Sequence, residues 1–336
     1  MNNAVFTSDG VDAVVTWVSM ADPGYRSRYE AYLSSLDNKP AVANSGRYTE
    51  TGEFAYCIAS LLKNAPWINR VHIITDKQSP SFMPQLAESE WASKVCIVDH
   101  EVLFAGYEKY LPTFNIRSIK SMFWNIPDLN ERFVFLNDDF LLLRPLSISD
   151  FFQGDSLVLS GQWLPSFSGL FKKRENSGSA RPKNRAAQAL SARMAGYQAR
   201  YFKVPHLPHP MLKSMLRGYF EAHPDQLEQN ISYAFRSEQQ FLADSLVTHL
   251  ALKQGRAVRT QGLKTMRFKP EDYQEPRLTQ FLHTIAEREN IKFACLQSLE
   301  LANEGMRQRL FAWLDEWVGK PSDIFANALP LPEVKS

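Results

Sequence analysis

The chain has 336 residues, of which 44% are hydrophobic and 22% charged, with a formal net charge of +2. This is the balance of a soluble globular protein with a sizeable core, and it excludes a whole-molecule polyanion binder, so any such role must come from local clustering. No run of about 18 apolar residues occurs, which argues against a transmembrane helix, and no nucleic-acid partner is expected.

The N-terminus, "MNNAVFTSDGVDAVVTW", lacks the basic start and long apolar stretch of a secretion signal, so a cytoplasmic protein is expected. Residues 11–18, "VDAVVTWV", form a β-branched run that predicts a strand. In "ETGEFAYCIASLLKNAP" the apolar residues Phe54, Cys57, Ile58, Leu61 and Leu62 recur at helical spacing, with Thr51 as candidate N-cap. "RVHIITD" (70–76) and "KVCIVDH" (94–100) predict two more strands. Ile116, Ile119, Phe123 and Ile126 mark a second helix before Pro127. The strand "RFVFLN" then runs into Asp138 and Asp139. Strands alternating with helices predict a mostly parallel, doubly wound sheet, in which ligands bind beyond the carboxyl ends of the strands.

That edge is where the polar residues fall: Trp17, then Thr75 and Asp76, then Asp99 and His100, then Asn137 to Asp139. Two adjacent carboxylates after a buried strand need water, a partner or a metal. A divalent cation, Mg2+ or Mn2+, held by Asp138 and Asp139 against a diphosphate is one reading, and a turn is the other.

Residues 168–203 hold nine Lys or Arg against one Glu, with Gly, Ser and Pro in the first half. They predict a basic flexible segment, either a solvated linker or a surface for a phosphate-rich partner. It would separate an α/β part (1–167) from a helical part (204–336) that completes the site. In "VPHLPHP" the prolines hold His206 and His209, which suits either a turn or a positioned general base. As metal ligands the pair lacks a nearby third donor, and without a CxxC pair a thiolate zinc site is not expected. The three cysteines, Cys57, Cys96 and Cys295, are far apart in apolar surroundings and predict buried, reduced thiols. Arg236 in "AFRSEQQF" is either a surface ion-pair partner or a fork for a phosphoryl oxygen.

Taken together, "VDAVVTWV", "RYTETGEFAYCIASLLKNAPWINRVHIITDKQSP", "LPTFNIRSIKSMFWNIPDLNERFVFLNDDFLL", "VPHLPHPM", "FRSEQQF" and "FACLQSLE" resemble, in order, the conserved regions of the Stealth family of sugar-phosphate transferases. That family includes bacterial capsular and exopolysaccharide enzymes and the animal N-acetylglucosamine-1-phosphotransferase. The resemblance spans about residues 11–300. It implies transfer of a hexose-1-phosphate, first of all an N-acetylhexosamine-1-phosphate, from a UDP-sugar to a hydroxyl of a glycan or phosphoglycan acceptor, with release of UMP.

The resemblance also implies the main roles for Asp139, His206 and Arg236. It places Trp17, Arg47, Glu53, Asp76, Gln78, Asn115, Asn137 and His209 along the donor or acceptor site. The chain departs from the family at Ser19 and Met20, at Ala55 and Ala59, and at Gln239 and Gln240, so the donor's identity does not carry over. An α/β fold is expected: a doubly wound, mostly parallel Rossmann-like (GT-A-like) sheet with a helical C-terminal part. Peripheral contact with the cytoplasmic face of the inner membrane or with capsule assembly machinery fits the product class. The competing readings are a metal-dependent glycosyltransferase that releases UDP and a non-catalytic polyanion-binding protein.

Overall fold

The computed structural model describes residues 10–40, 43, 49–166, 184–260, 262–269, 272 and 274–326. Its first half alternates as expected: β1 (Val11–Thr16), α1 (Pro23–Ser34), α2 (Glu53–Asn64), β2 (Ile68–Thr75), α3 (Met83–Ala87), β3 (Val95–Asp99), α4 (His100–Leu103), α5 (Ile116–Ser121) and β4 (Arg132–Asn137). β1 pairs in parallel with β2 on one side and with β4 on the other, and β3 extends the sheet in parallel beyond β2. The strand order thus reverses beside β1, and the crevice between β1 and β4 is a topological switch point. Thr16 lies opposite Asn137 there, which puts Trp17 and the two aspartates at the mouth of the crevice.

Val11, Ala13, Val14 and Val15 are all buried, as a central parallel strand covered on both faces requires. Helix α2 begins one residue later than its candidate cap: Gly52, at φ +110°, occupies the N-cap, and Thr51 instead donates through N and Oγ1 to Glu53. Only glycine takes that backbone conformation without a steric cost.

Asp12 is the polar exception in β1. Its carboxylate accepts from Asn130 N at 2.8 Å, Asn130 Nδ2 at 2.9 Å and Arg70 N at 3.1 Å, and it faces His72 Nε2 at 3.2 Å. Burial opposes charge on His72, yet Asp12 and the Cys96 sulfur raise its pKa to about 9. Because that value lies above the unfolded one, the stabilisation is complete below about pH 6.5 and is lost as pH rises through 9. We expect the thermal midpoint to fall between pH 6.5 and 9 by an amount equivalent to roughly 1–3 kcal/mol, and His72→Gln to flatten that limb. Scanning calorimetry of the two proteins across this range checks it.

After β4 the chain turns into β5 (Phe140–Leu142), β6 (Phe152–Gln153), β7 (Ser156–Ser160) and β8 (Gln162–Pro165). Most of the candidate basic segment's charges, Lys172 to Lys183, lie outside the described residues. Its remainder is not a flexible linker: α6 (Asn184–Met194) buries Ala187, Ser191 and Ala192, and β9 (Arg200–Lys203) pairs antiparallel with β8.

The C-terminal part carries helices α7 (Lys213–Ala222), α8 (Pro224–Ile231), α9 (Ala243–Lys253), α10 (Glu275–Glu287), α11 (Glu304–Trp317) and α12 (Pro321–Ala326). It also supplies strands: β10 (His209–Leu212), β11 (Ala257–Thr260), β12 (Lys264–Phe268) and β13 (Ile291–Leu296). The sequence reading did not mark these strands. Strand β10 joins the main sheet antiparallel to β4, and β13 lies between β12 and β5 in a second sheet. The expected division at residues 167 and 204 is therefore crossed by three sheets, since β11 also pairs with β7. One hydrophobic cluster runs from Val11 to Phe325.

Candidate active site

The turn between β4 and β5 belongs to both sheets. Leu296 N donates to the Asp139 carbonyl at 3.0 Å, and Cys295 pairs with Phe140 across the ladder. This register sets the Cys295 thiol against Asp139: its Sγ donates to Asp139 Oδ2 at 3.2 Å and lies 3.2 Å from His206 Nε2. The second carboxylate oxygen, Oδ1, is buried without a hydrogen-bond partner. Burial, with the nearby Glu53 charge, raises the Asp139 pKa to about 6 despite the Cys295 bond. Burial, Asp139 and Glu53 push Asp138 well above the carboxylate range, and burial and Glu53 raise Glu50. Carboxylates that repel one another beside an unpaired oxygen suit a hard divalent cation, so Asp138 and Asp139 fit the ion that the sequence suggested.

His206 enters from the loop between β9 and β10, its ring 4.7 Å from that of Phe140. Leu207, 5% exposed, anchors the same loop. Burial, then the charges of Arg267, His209 and Lys120, lower the His206 pKa to about 4, so the imidazole is neutral at neutral pH. His209 has a different environment, 3.6 Å from Asp244 and stacked near Phe135.

Both histidines open onto a cavity of about 980 Å3, which Asn137 also lines. Its described walls carry Arg117, Lys120, Arg185 and Arg236 on one set of elements, and Lys203, Lys264 and Arg267 on the strands. Asp244 is the single carboxylate among the described residues lining it. Burial works against Lys120 ionising and drives its pKa down, but its Nζ lies 2.6 Å from Asp244. Burial would raise Asp244 as well, and Lys120 and His209 instead hold it at about 2. The pair meets at the start of α9.

Arg236 is placed by an aromatic stack. Phe235 lies on Phe114 at 5.5 Å, and Phe114 meets Tyr29 of α1 edge-on at 4.8 Å. The neighbouring Ser237 carbonyl accepts from Arg117 Nη1 at 2.8 Å.

Other expected site residues do not line this cavity. Gln78 clamps the backbone of Ser19 through both ends of its amide, at 2.9 and 2.7 Å. Asn115 caps α5 and donates to Tyr233 O and Gln240 Oε1, both at 2.9 Å. Both amides thus hold backbone and side-chain groups of the protein itself at these positions. Asp76 pairs with Arg28 at a separate depression. Trp17 stacks on Phe54 at 5.3 Å beside the switch point, and Glu53 acts on the aspartates through its charge. Arg47 lies outside the described residues.

Lys120, Asp244, Arg267 and Cys295 were not singled out from the sequence. Lys120 left a trace, a cation inside the apolar run "IRSIKSMF". Cys295 left none, because a thiol in an apolar strand reads as core.

The chain matches the family model described as Stealth protein CR2, conserved region 2, over residues 47–159. It is 28% identical over 265 residues to the capsular polysaccharide phosphotransferase LcbA of Aeromonas hydrophila, covering 75% of this chain and 69% of that protein. With the receptor polysaccharide phosphotransferase WefC of Streptococcus gordonii it shares 30% identity over 251 residues, 68% of this chain and 73% of that one. Among solved structures, apo mouse xyloside xylosyltransferase 1 superposes with a TM-score of 0.40 at 11% identity, covering 85% of this chain and 97% of that one.

Proposed function

The chain belongs to the Stealth family and is a sugar-phosphate transferase of capsular or exopolysaccharide type; from that premise we propose that it moves a hexose-1-phosphate from a UDP-sugar to a glycan hydroxyl and releases UMP. The observation that carries the reading is the meeting of Asp139 and the neutral His206 at the edge of a cation-lined cavity. Such a cavity favours a diphosphate donor and a phosphoglycan acceptor over neutral sugars.

In this mechanism the acceptor oxygen attacks the β-phosphorus. A new P–O bond forms, the bond from that phosphorus to the oxygen bridging the two phosphates breaks, and UMP departs. The bond between the sugar's anomeric carbon and its oxygen is not touched, so configuration is retained. His206 takes the hydroxyl proton, a role its neutral ring and fixed loop support. Arg236 and Arg267 stabilise charge on the phosphoryl oxygens, and Arg117 helps hold the Arg236 segment in place through Ser237. A divalent cation held by Asp138 and Asp139 would supply further charge neutralisation on the diphosphate.

The decisive experiment incubates the full chain with Mg2+ or Mn2+, an acceptor glycan and a panel of UDP-sugars, and separates UMP from UDP by chromatography. UMP in step with phosphodiester product is expected. UDP in its place would mean glycosyl transfer and overturn the proposal.

A further inference from the structure

We propose that Asp139, His206 and Cys295 form a binding site for Zn2+, distinct in chemistry from the hard-cation site at Asp138 and Asp139, and that zinc bound there inhibits the enzyme. The binding stands on geometry alone, whereas its inhibitory consequence rests on the function proposed above.

One carboxylate oxygen, one imidazole nitrogen and one sulfur converge, all within 4.8 Å of one another. The sulfur is 3.2 Å from each of its neighbours. Zinc bonds sulfur at about 2.3 Å and nitrogen or oxygen at about 2.0–2.2 Å, so a tetrahedral ion spaces such donors about 3.5 Å apart. The two contacts to sulfur need to open by only tenths of an ångström to reach that spacing. A mixed nitrogen, sulfur and oxygen set is the donor chemistry of zinc, and magnesium has little affinity for a thiolate.

Electrostatics agree. Binding exchanges the thiol proton of Cys295 for the metal: Zn2+ plus the thiol gives a zinc thiolate and one proton released to water. The thiolate and the Asp139 carboxylate then balance the two charges of the ion inside a half-buried site, while Arg267 opposes it. His206 offers the lone pair of Nε2, which faces the Cys295 sulfur. Three protein ligands leave a fourth tetrahedral position.

The sequence argued against such a site because His206 had no third donor nearby and the chain has no CxxC pair. The fold supplies the donor from β13, 89 residues beyond His206. Zinc held there takes the lone pair with which His206 would accept the hydroxyl proton. It also takes an oxygen of Asp139. A soft cation would thus switch off a reaction that a hard one supports.

Cobalt(II) serves as the spectroscopic probe on the full chain. A near-ultraviolet thiolate-to-cobalt band is expected with wild type, bleached by one equivalent of Zn2+. Cys295→Ser should lose the band and bind zinc about 100-fold or more weakly by equilibrium dialysis, the scale on which metal sites respond to altered ligands. His206→Ala should keep the band with weakened affinity, which covers a Cys295 variant that does not fold. Cys57→Ser and Cys96→Ser should keep both band and affinity. Cobalt bound without a thiolate band, or zinc affinity unchanged in Cys295→Ser, would overturn the site. In the Mg2+-supported transfer assay, stoichiometric Zn2+ should lower turnover about tenfold or more, reversibly with chelator. A zinc-loaded enzyme of full activity would overturn the inhibition. Should no UDP-sugar yield UMP, the function fails while the cobalt spectrum still decides the site.

Discussion

Replacing His206 by alanine lowers kcat by about 100- to 10,000-fold, the usual contribution of a general base, and leaves the dissociation constant of the UDP-sugar nearly unchanged. The ring packs on Phe140 at the cavity edge, while the phosphate-attracting charge belongs to Lys and Arg side chains on other elements. Its pKa of about 4 would make it a weak base in the empty site. Part of that depression comes from Arg267 and Lys120, and a bound diphosphate offsets both charges. We therefore expect donor binding to raise the basicity of His206 toward the range in which a base works best at neutral pH. Rapid-quench measurement of a single turnover, alongside calorimetric titration of the donor, checks both halves. Retention of more than about a tenth of wild-type turnover would sink the role.

Asp139→Asn abolishes transfer and makes the protein more stable. The pKa raised to about 6, above the ordinary carboxylate value, means that the folded state holds this proton more tightly than the unfolded chain. Stability is accordingly lost as pH rises through that interval, and at neutral pH the ionised group costs on the order of 1–3 kcal/mol. Asparagine keeps the shape and an acceptor for the Cys295 thiol but removes the charge. We expect turnover to fall at least about 100-fold, by analogy with removal of one transition-state stabilising group, and the thermal midpoint to rise by a few degrees. Added Mg2+ should raise the midpoint of wild type, because a ligand bound only by the native state stabilises it, and not that of the variant. A purely structural Asp139 predicts the reverse: lower stability with substantial turnover.

Elements that bury an unbroken apolar run were legible. β1, β2 and β4 declare themselves through Val, Ile and Phe, and the polar residues that end them mark the ligand edge. Motif membership did not tell which polar groups the fold itself engages. Gln78 and Asn115 stand in segments as distinctive as that of His206, yet their amides are occupied by Ser19, Tyr233 and Gln240. That distinction depends on which partner arrives in space, which a linear pattern does not contain. Cys295 fails for the same reason on a larger scale, since its value comes from a strand pairing with β5. Lys120 was visible as an anomaly, a cation on an apolar helix face, but its meaning needed Asp244 from α9.

The pairing of β13 with β5 also governs how the molecule comes into being. Asp139 and Cys295 are 156 residues apart, so the contact between them closes a long loop. Contacts of such separation form late and slow the folding of the whole. During synthesis the strands β1 to β4 emerge and can pair long before β10 and β13 leave the ribosome. Throughout that interval the β4 edge lacks its antiparallel neighbour, and an unpaired strand edge is a template for misassociation. Vulnerability to aggregation should therefore peak in nascent chains that end between β4 and β10, and subside once β10 has covered that edge.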